Sequence, residues 1–273
     1  MKYFIISLIT FVFAANVMAQ DKHDFSIELN VNGTNHEMGL VNDYFTKDPY
    51  FPYTSVTKRN NHLNSLNFGL DYTLGINYQP FHFMDFGVFA NYQSATIKRS
   101  FTYEDYPDPS SYPDSSITRD GKINTQVNAL SLGISSNIYL NKIFHLDRIN
   151  SIFLKKMIIF IGLKGGIGYS TFNEQASNYY YSTNTTYDYT NFQYKATNLN
   201  GRAEIGIGYP IYNKSFFSSV GFKIGYQYFK TSPVKNYAGT YLYHNDDYNN
   251  PDAKVSLDFS GVYYGVYLRI GKH

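Results

Sequence analysis

A chain of 273 residues without a cysteine can have no disulfide framework, thiolate nucleophile or cysteine metal site. Its 23 Lys and Arg against 21 Asp and Glu are spread along the whole length, which argues against a nucleic-acid partner. The composition stands out only in its aromatics, 29 Tyr and 22 Phe with no Trp; tyrosine, with an apolar ring and a hydroxyl that seeks water, suits a membrane interface.

Met1-Lys2 gives a charged start, Tyr3 to Ala15 an apolar core and Val17-Met18-Ala19 a cleavage site. Residues 1–19 are therefore expected to be a secretory signal peptide, and residues 20–273 one domain beyond the cytoplasm. The first predicted strand is Asp24 to Gly33, with Phe25, Ile27, Leu29 and Val31 on one face and Ser26, Glu28, Asn30 and Asn32 on the other. Thr34 to His62 reads as a long irregular loop around Asp48-Pro49-Tyr50-Phe51-Pro52.

Leu63 to Tyr78 alternates cleanly, with Phe68, Leu70, Tyr72, Leu74 and Ile76 opposite Gly69, Asp71, Thr73 and Gly75. After a turn at Gln79-Pro80-Phe81-His82, the chain returns along Phe83 to Ile97, with Asp85, Phe89 and Asn91 on its second face. Lys98 to Lys122 reads as a second long loop, followed by a strand over Ile123 to Leu140. In Asn141 to Lys156, Ile143, Leu146, Ile149 and Phe153 recur at near-helical spacing, which predicts a short interfacial helix. Met157 to Phe172 is the next strand, and Asn173 to Thr197, rich in Tyr, Thr and Asn, a third long loop. Strands over Asn198 to Tyr209 and Phe216 to Phe229 flank a turn at Pro210 to Ser215, and Lys230 to Ala253 is a fourth long loop.

Ser256 to Gly271 closes the series. Val262, Tyr264, Val266, Leu268 and Ile270 form an apolar face opposite Tyr263, Gly265, Tyr267 and Arg269. Val255, Leu257 and Phe259, read as outward too, fall on the other parity, so a bulge is expected near Ser260-Gly261. The eight predicted strands are an even number, with long connections after strands one, three, five and seven. That pattern predicts an all-β fold: an eight-stranded antiparallel up-and-down transmembrane β-barrel with four long outer loops and short periplasmic turns. A soluble barrel would carry charge on its outer faces; these are almost free of it, and lipid is the solvent they suit. No helical span competes, because Ile152 to Leu163 is broken by Lys155-Lys156.

In these features the chain resembles the small outer-membrane β-barrel proteins of Gram-negative bacteria, the OmpA/OmpX-like group, and most of all the outer membrane protein β-barrel domain of Bacteroidota. The family's C-terminal assembly signal can be laid on Tyr263, Gly265, Leu268 and Ile270. The resemblance implies an outer-membrane location, contact with outer-membrane lipid and lipopolysaccharide, and the barrel-assembly machinery as a partner during insertion.

The inward faces carry Glu28, Asp71, Asp85, Lys164, Arg202, Glu204, Lys223 and Arg269, four acids and four bases. An eight-stranded barrel is just wide enough for side chains to fill, so the expectation is a self-neutralising polar network rather than an ion pathway. Arg269 is expected to find Glu28 on the neighbouring strand. Tyr179, Tyr180, Tyr181, Tyr187 and Tyr189 crowd the third loop, and Tyr241 and Tyr243 the fourth. They are expected to pack the loops and meet lipopolysaccharide sugars; a second reading is a binding surface for protein or glycan. His36, His62 and His244 lie on the outer side, and His244 with Asp246 and Asp247 is the best catalytic cluster, but no serine accompanies it in a recognisable motif. Asp246 to Asp252 lacks the glycine and terminal glutamate of a calcium loop. The functional expectation is a structural or surface-interaction protein with no enzyme activity, cofactor or metal. The alternatives are a narrow pore or transporter, and a lipid A- or peptide-modifying enzyme.

Overall fold

Eight antiparallel strands close on themselves. The computed structural model describes residues 24–38, 54–59, 68–105, 117–180, 185–213, 216–243 and 254–271. In chain order its strands are β1 (Asp24–Asn35), β2 (Thr54–Arg59), β3 (Phe68–Phe81), β4 (Met84–Asp105), β5 (Ile117–Tyr139), β6 (Ile158–Tyr180), β7 (Thr185–Asn213), β8 (Phe216–Tyr228), β9 (Lys230–Pro233), β10 (Ser256–Asp258) and β11 (Gly261–Gly271). Neighbours pair around the ring as β1, β3, β4, β5, β6, β7, β8, β11 and back to β1. The residues of the expected signal peptide lie outside the described ones, as do His62, Tyr181, His244, Asp246 and Asp247.

The register fixes the barrel's shape. From Phe25 the rung passes through Tyr78, Phe86, Ser136, Leu163, Ala203, Tyr226 and Val262. Val262 lies one step before the Tyr263–Thr34 pair, hence opposite Asn35, so the walk returns 35 − 25 = 10 residues along β1. With a rise of ~3.3 Å per residue and strands ~4.7 Å apart, that offset over eight strands tilts them by ~41°, inside the usual range for barrels.

Period-two alternation then assigns every residue a side. Between the rims the outward positions are apolar and carry no charge; Ile134, Ile167, Leu199 and Phe222 are each at least 64% exposed. Aromatics ring this belt at two heights. Phe25, Phe81, Phe83, Phe86 and Tyr209 lie near the end that holds both termini of the sheet, and Tyr72, Tyr92, Tyr169, Tyr226, Tyr228 and Tyr264 near the other.

Two glycines show how the narrow interior seats large rings. A Cβ on Gly206 would fall 2.2 Å from the ring of Phe160, and one on Gly208 would collide with the hydroxyl of Tyr267. Phe160 and Tyr267 pack edge to face at 5.5 Å with Tyr139 beside them, closing the lower end.

The connections depart from the sequence reading. β4, β5, β6 and β7 run for 22, 23, 23 and 29 residues, against 12, 14, 13 and 11 for β1, β3, β8 and β11. Much of what reads as the second and third loops is therefore a tall wall rising from one half of the barrel. Tyr179 and Tyr180 belong to β6, and Tyr187 and Tyr189 to β7. Within the first loop, β2 adds to the wall by pairing with β4. The turn expected from Pro210 is strand as far as Asn213. In place of one interfacial helix there are α1 (Leu140–Ile143), a 3-10 turn (Leu146–Arg148) and α2 (Ile152–Lys156), and α2 stacks Phe153 on Tyr209 at 5.9 Å.

The largest departure is the fourth connection, which folds back. β9 pairs with β10, Lys235 bridges to Lys195 at the free edge of β7, and Lys235–Tyr241 and Tyr243–Lys254 bridges extend the small sheet. Its inner face puts Val234, Leu242, Val255, Leu257 and Phe259 against Ala95, Ile97, Val127 and Phe172 of the wall and against Phe229 between β8 and β9. Val255, Leu257 and Phe259 thus point inward, not outward, because they cap the mouth instead of meeting lipid. The parity break expected near Ser260-Gly261 is therefore absent: residues 255, 257 and 259 share the inward parity of Tyr263, Tyr267 and Arg269, and the register shift nearby lies at Ser256–Asp258, with Gly261, at φ 151°, opening β11.

Gly206→Leu should lower the stability of the barrel refolded in detergent micelles by about 1–3 kcal/mol, the usual penalty for overpacking, because Phe160 has nowhere to go. Urea unfolding followed by tyrosine fluorescence measures it, and Ile205→Leu, on the outward face next to it, should be close to neutral.

Candidate functional site

The strands that make the wall also aim eight charged side chains at one axis. Seven contacts link them. At the lower end Arg269 bridges Asp85 (3.1 Å) and Glu28, and Asp85 also accepts from the amide of Asn137 and the hydroxyl of Tyr139. Above it Glu28 and Glu204 share Lys164 and Lys223: Lys164 is 3.6 and 3.0 Å from them, Lys223 3.7 and 3.1 Å. The Tyr263 hydroxyl donates to Glu204 at 2.7 Å. Higher still, Arg202 meets Asp71 at 2.7 Å, and Asp71 accepts further bonds from Asn32, Thr73, Asn91 and Gln93.

Four acids against four bases leave this column neutral, and each member is at most 7% exposed. Its geometry suits a seal: opposite charges touch, the carboxylates take additional neutral donors, and aromatic rings close the column below. Arg269 and Glu28 are direct neighbours across the β1–β11 rung.

At the top, just beyond the end of β1, His36 joins the polar column to the fold-back. Its Nδ1 donates to the carbonyl of Phe259 at 3.2 Å, and Nε2 lies 2.8 Å from the hydroxyl of Thr34. Gln227 donates to the same Phe259 carbonyl at 2.9 Å. Burial pushes the imidazole down to about 4, against a smaller upward pull from that carbonyl and from Asp71. Above this layer the apolar cap takes over, with Phe229 and Phe259 stacked at 5.5 Å.

The outer face of the fold-back holds a second constellation. The ammonium of Lys195 sits 4.9 Å from the ring centre of Tyr237, and those of Lys235 and Lys254 each sit 4.5 Å from that of Tyr241. A hydrogen bond from Lys235 draws the Tyr241 hydroxyl below its ordinary value. An open cleft of about 520 Å³ runs past Tyr169, Lys195, Lys235, Tyr237 and Tyr241. Of the tyrosines singled out from the sequence, Tyr241 belongs to this cleft and Tyr243 stacks edge-on against Tyr241 at 6.3 Å. Tyr179, Tyr180, Tyr187 and Tyr189 lie on the wall strands. The three lysines and Tyr237 are absent from the sequence reading. Their only local signal is adjacency to tyrosine, in Tyr194-Lys195 and Lys235-Asn236-Tyr237.

Among the described residues no group of His, Asp and Glu is arranged to hold a metal ion. Nor is any helix among them long and apolar enough to cross a membrane.

Two outcomes follow for the lumen. Arg202→Met should cost about 3–5 kcal/mol in urea unfolding, because it strands the Asp71 carboxylate, and adding Asp71→Asn to the same chain should recover part of that loss. Protonation of His36 gives the second. Its folded value lies below its unfolded value of 6.5, so the unfolded chain binds the extra proton first. Wild-type protein should lose stability relative to His36→Gln as pH falls from 6.5 towards 4, by at most about 1.4 kcal/mol per pH unit, and the difference should level off below that window.

No protein-family model matches the sequence, and no curated protein matches it. Among solved structures, the chain is similar to Neisserial surface protein A (12% identity, 91% of this chain and 97% of the other, TM-score 0.33). It is likewise similar to Ail, the attachment invasion locus protein of Yersinia pestis (11%, 92% and 99%, 0.35), and to the outer membrane protease OmpT of Escherichia coli (10%, 92% and 96%, 0.33).

Proposed function

We propose that the protein is a closed outer-membrane barrel that neither conducts nor catalyses, and that works through the surface it holds at the outer leaflet. The observation that carries this reading is the pairing of an uncharged apolar exterior with a lumen sealed twice. An exposed aliphatic belt between two aromatic girdles suits a bilayer of ~30 Å, which leaves only helices and closed barrels as spanning structures. The charge at residues 1–2 and the apolar run that follows support export through a cleaved signal peptide. The tall side of the barrel is then outside the cell, and both ends of the sheet face the periplasm.

The sealed interior weighs against a pore. A hydrated ion would have to part Arg269 from Glu28 and Asp85, part Arg202 from Asp71, and then displace the packed cluster around Phe229 and Phe259. For an enzyme the described residues supply no rim histidine with an acid and a nucleophile; His36 is bound to Phe259 and Thr34 inside the mouth.

Purified protein incorporated into planar bilayers should give no discrete conductance steps at neutral or acidic pH, and in cells the protein should sediment with outer membranes. Regular steps, or recovery with soluble periplasmic contents, would overturn the reading.

A further inference from the structure

The outward face of the fold-back sheet is built unlike the rest of the exterior. Lys195, Lys235, Tyr241 and Lys254 come from chain segments up to 59 positions apart (254 − 195), and the Lys195–Lys235, Lys235–Tyr241 and Tyr243–Lys254 bridges bring them together. Among the described residues none of the three lysines has a carboxylate within ion-pairing distance; each ammonium rests on a tyrosine ring. Tyr237 is 79% exposed beside them. Cations left unpaired over aromatic faces are disposed to take an anionic group together with a flat, partly apolar body. A phosphorylated sugar has both parts, and the cleft of about 520 Å³ is of a size to hold one.

Its height on the barrel narrows the source. Tyr169, which lines the cleft, belongs to the upper aromatic girdle. Lys195 and Thr197 follow directly above Leu199 on the outward face of β7, and Leu199 is 68% exposed beside Ile167 at 64%. Just below lies the outward pair Gly165–Gly201, where a side chain would meet nothing within 4 Å. The polar cleft thus continues downward into a shallow apolar trough on the same two strands. A headgroup held by the lysines would have its acyl chains leading into that trough.

We propose that Lys195, Lys235 and Lys254, with Tyr237 and Tyr241, bind the phosphorylated sugar headgroup of a glycolipid in the outer leaflet beside the barrel. The site rests on the outer-membrane placement given above and names the ligand class of that surface. Lysine ammoniums contact the phosphate, Tyr237 covers the sugar face, and Leu199 and Ile167 flank the first methylenes of the acyl chains.

The test uses the full-length protein in detergent micelles, so its result does not depend on where the barrel sits in the cell or on whether it conducts. Three probes are titrated and read by native mass spectrometry: diphosphorylated lipid A, the same lipid without phosphates, and its deacylated phosphorylated disaccharide. The intact lipid should bind at least about tenfold more tightly than either of the others, as expected for several lysines acting together on one anionic headgroup, and its binding should weaken with salt. Lys195→Ala, Lys235→Ala and Lys254→Ala combined should abolish the difference between the phosphorylated and dephosphorylated lipid while leaving circular dichroism and gel mobility unchanged. Tyr237→Ala, at a largely exposed residue, should weaken binding of both lipids. Equal binding of the two lipids by wild-type protein, or an unchanged preference in the triple variant, would overturn the site. A deacylated disaccharide that binds as tightly as the lipid would overturn the membrane source.

Discussion

A sheet of eight strands with a register offset of ten encloses a space that side chains alone can fill, and the rest of the molecule answers to that limit. No inward charge can retain a hydration shell there, so each must touch its opposite. Glu204 meets Lys164 and Lys223 from the strands on either side of it, Glu28 reaches the same two lysines from β1, and Arg202 and Arg269 reach to Asp71 and Asp85. The same limit explains the glycines. Phe160 and Tyr267 occupy volume that side chains at positions 206 and 208 would otherwise claim, so the bulk of one strand is accommodated by the absence of bulk on another.

The lumen is closed by two kinds of physics, one above the other. The lower column is directional, and a misplaced partner leaves a charge without water. The upper cap is packing, with Phe172, Phe229, Leu257 and Phe259 at no more than 1% exposure and each worth about 1.5–3 kcal/mol when buried. His36 belongs to both layers, bonded to the backbone of Phe259 and in edge contact with its ring at 5.4 Å.

How much of this was legible in the sequence depends on the solvent each residue meets. Where the outside is lipid, as along Leu130, Leu132 and Ile134, the contrast between the faces is strong and alternation reveals strand, side and length. Above the girdle the outside is water. Lys122, Asn124, Gln126 and Asn128 then alternate with Ile123, Thr125 and Val127, the contrast weakens, and further up the wall strands read as tyrosine-rich loops. The inward charges followed from parity, and three of their pairings lie on adjacent strands, Arg269 with Glu28 and Glu204 with Lys164 and Lys223, of which only the first, a direct cross-strand pair, was expected. Arg202 with Asp71 crosses the lumen, and only the tilt brings the two to one height. The rim lysines were hidden for a related reason: Lys195 and Lys235 become neighbours only because the fourth connection turns back onto the edge of β7.

The contact between Glu28 and Arg269 joins residues 241 positions apart, on the first and last strands. Until β11 reaches β1 the sheet is open along one edge, and the charges along its inner face are still wet. Joining that seam therefore expels the water from the whole column in the same event that completes its ion pairs. The final stretch of chain thus acts as a latch and a drying step at once, and a partly zipped barrel has no dry interior to trap it. Residues 254–271 supply both the closing strand and part of the cap, so closure of the sheet and sealing of its mouth draw on the same segment.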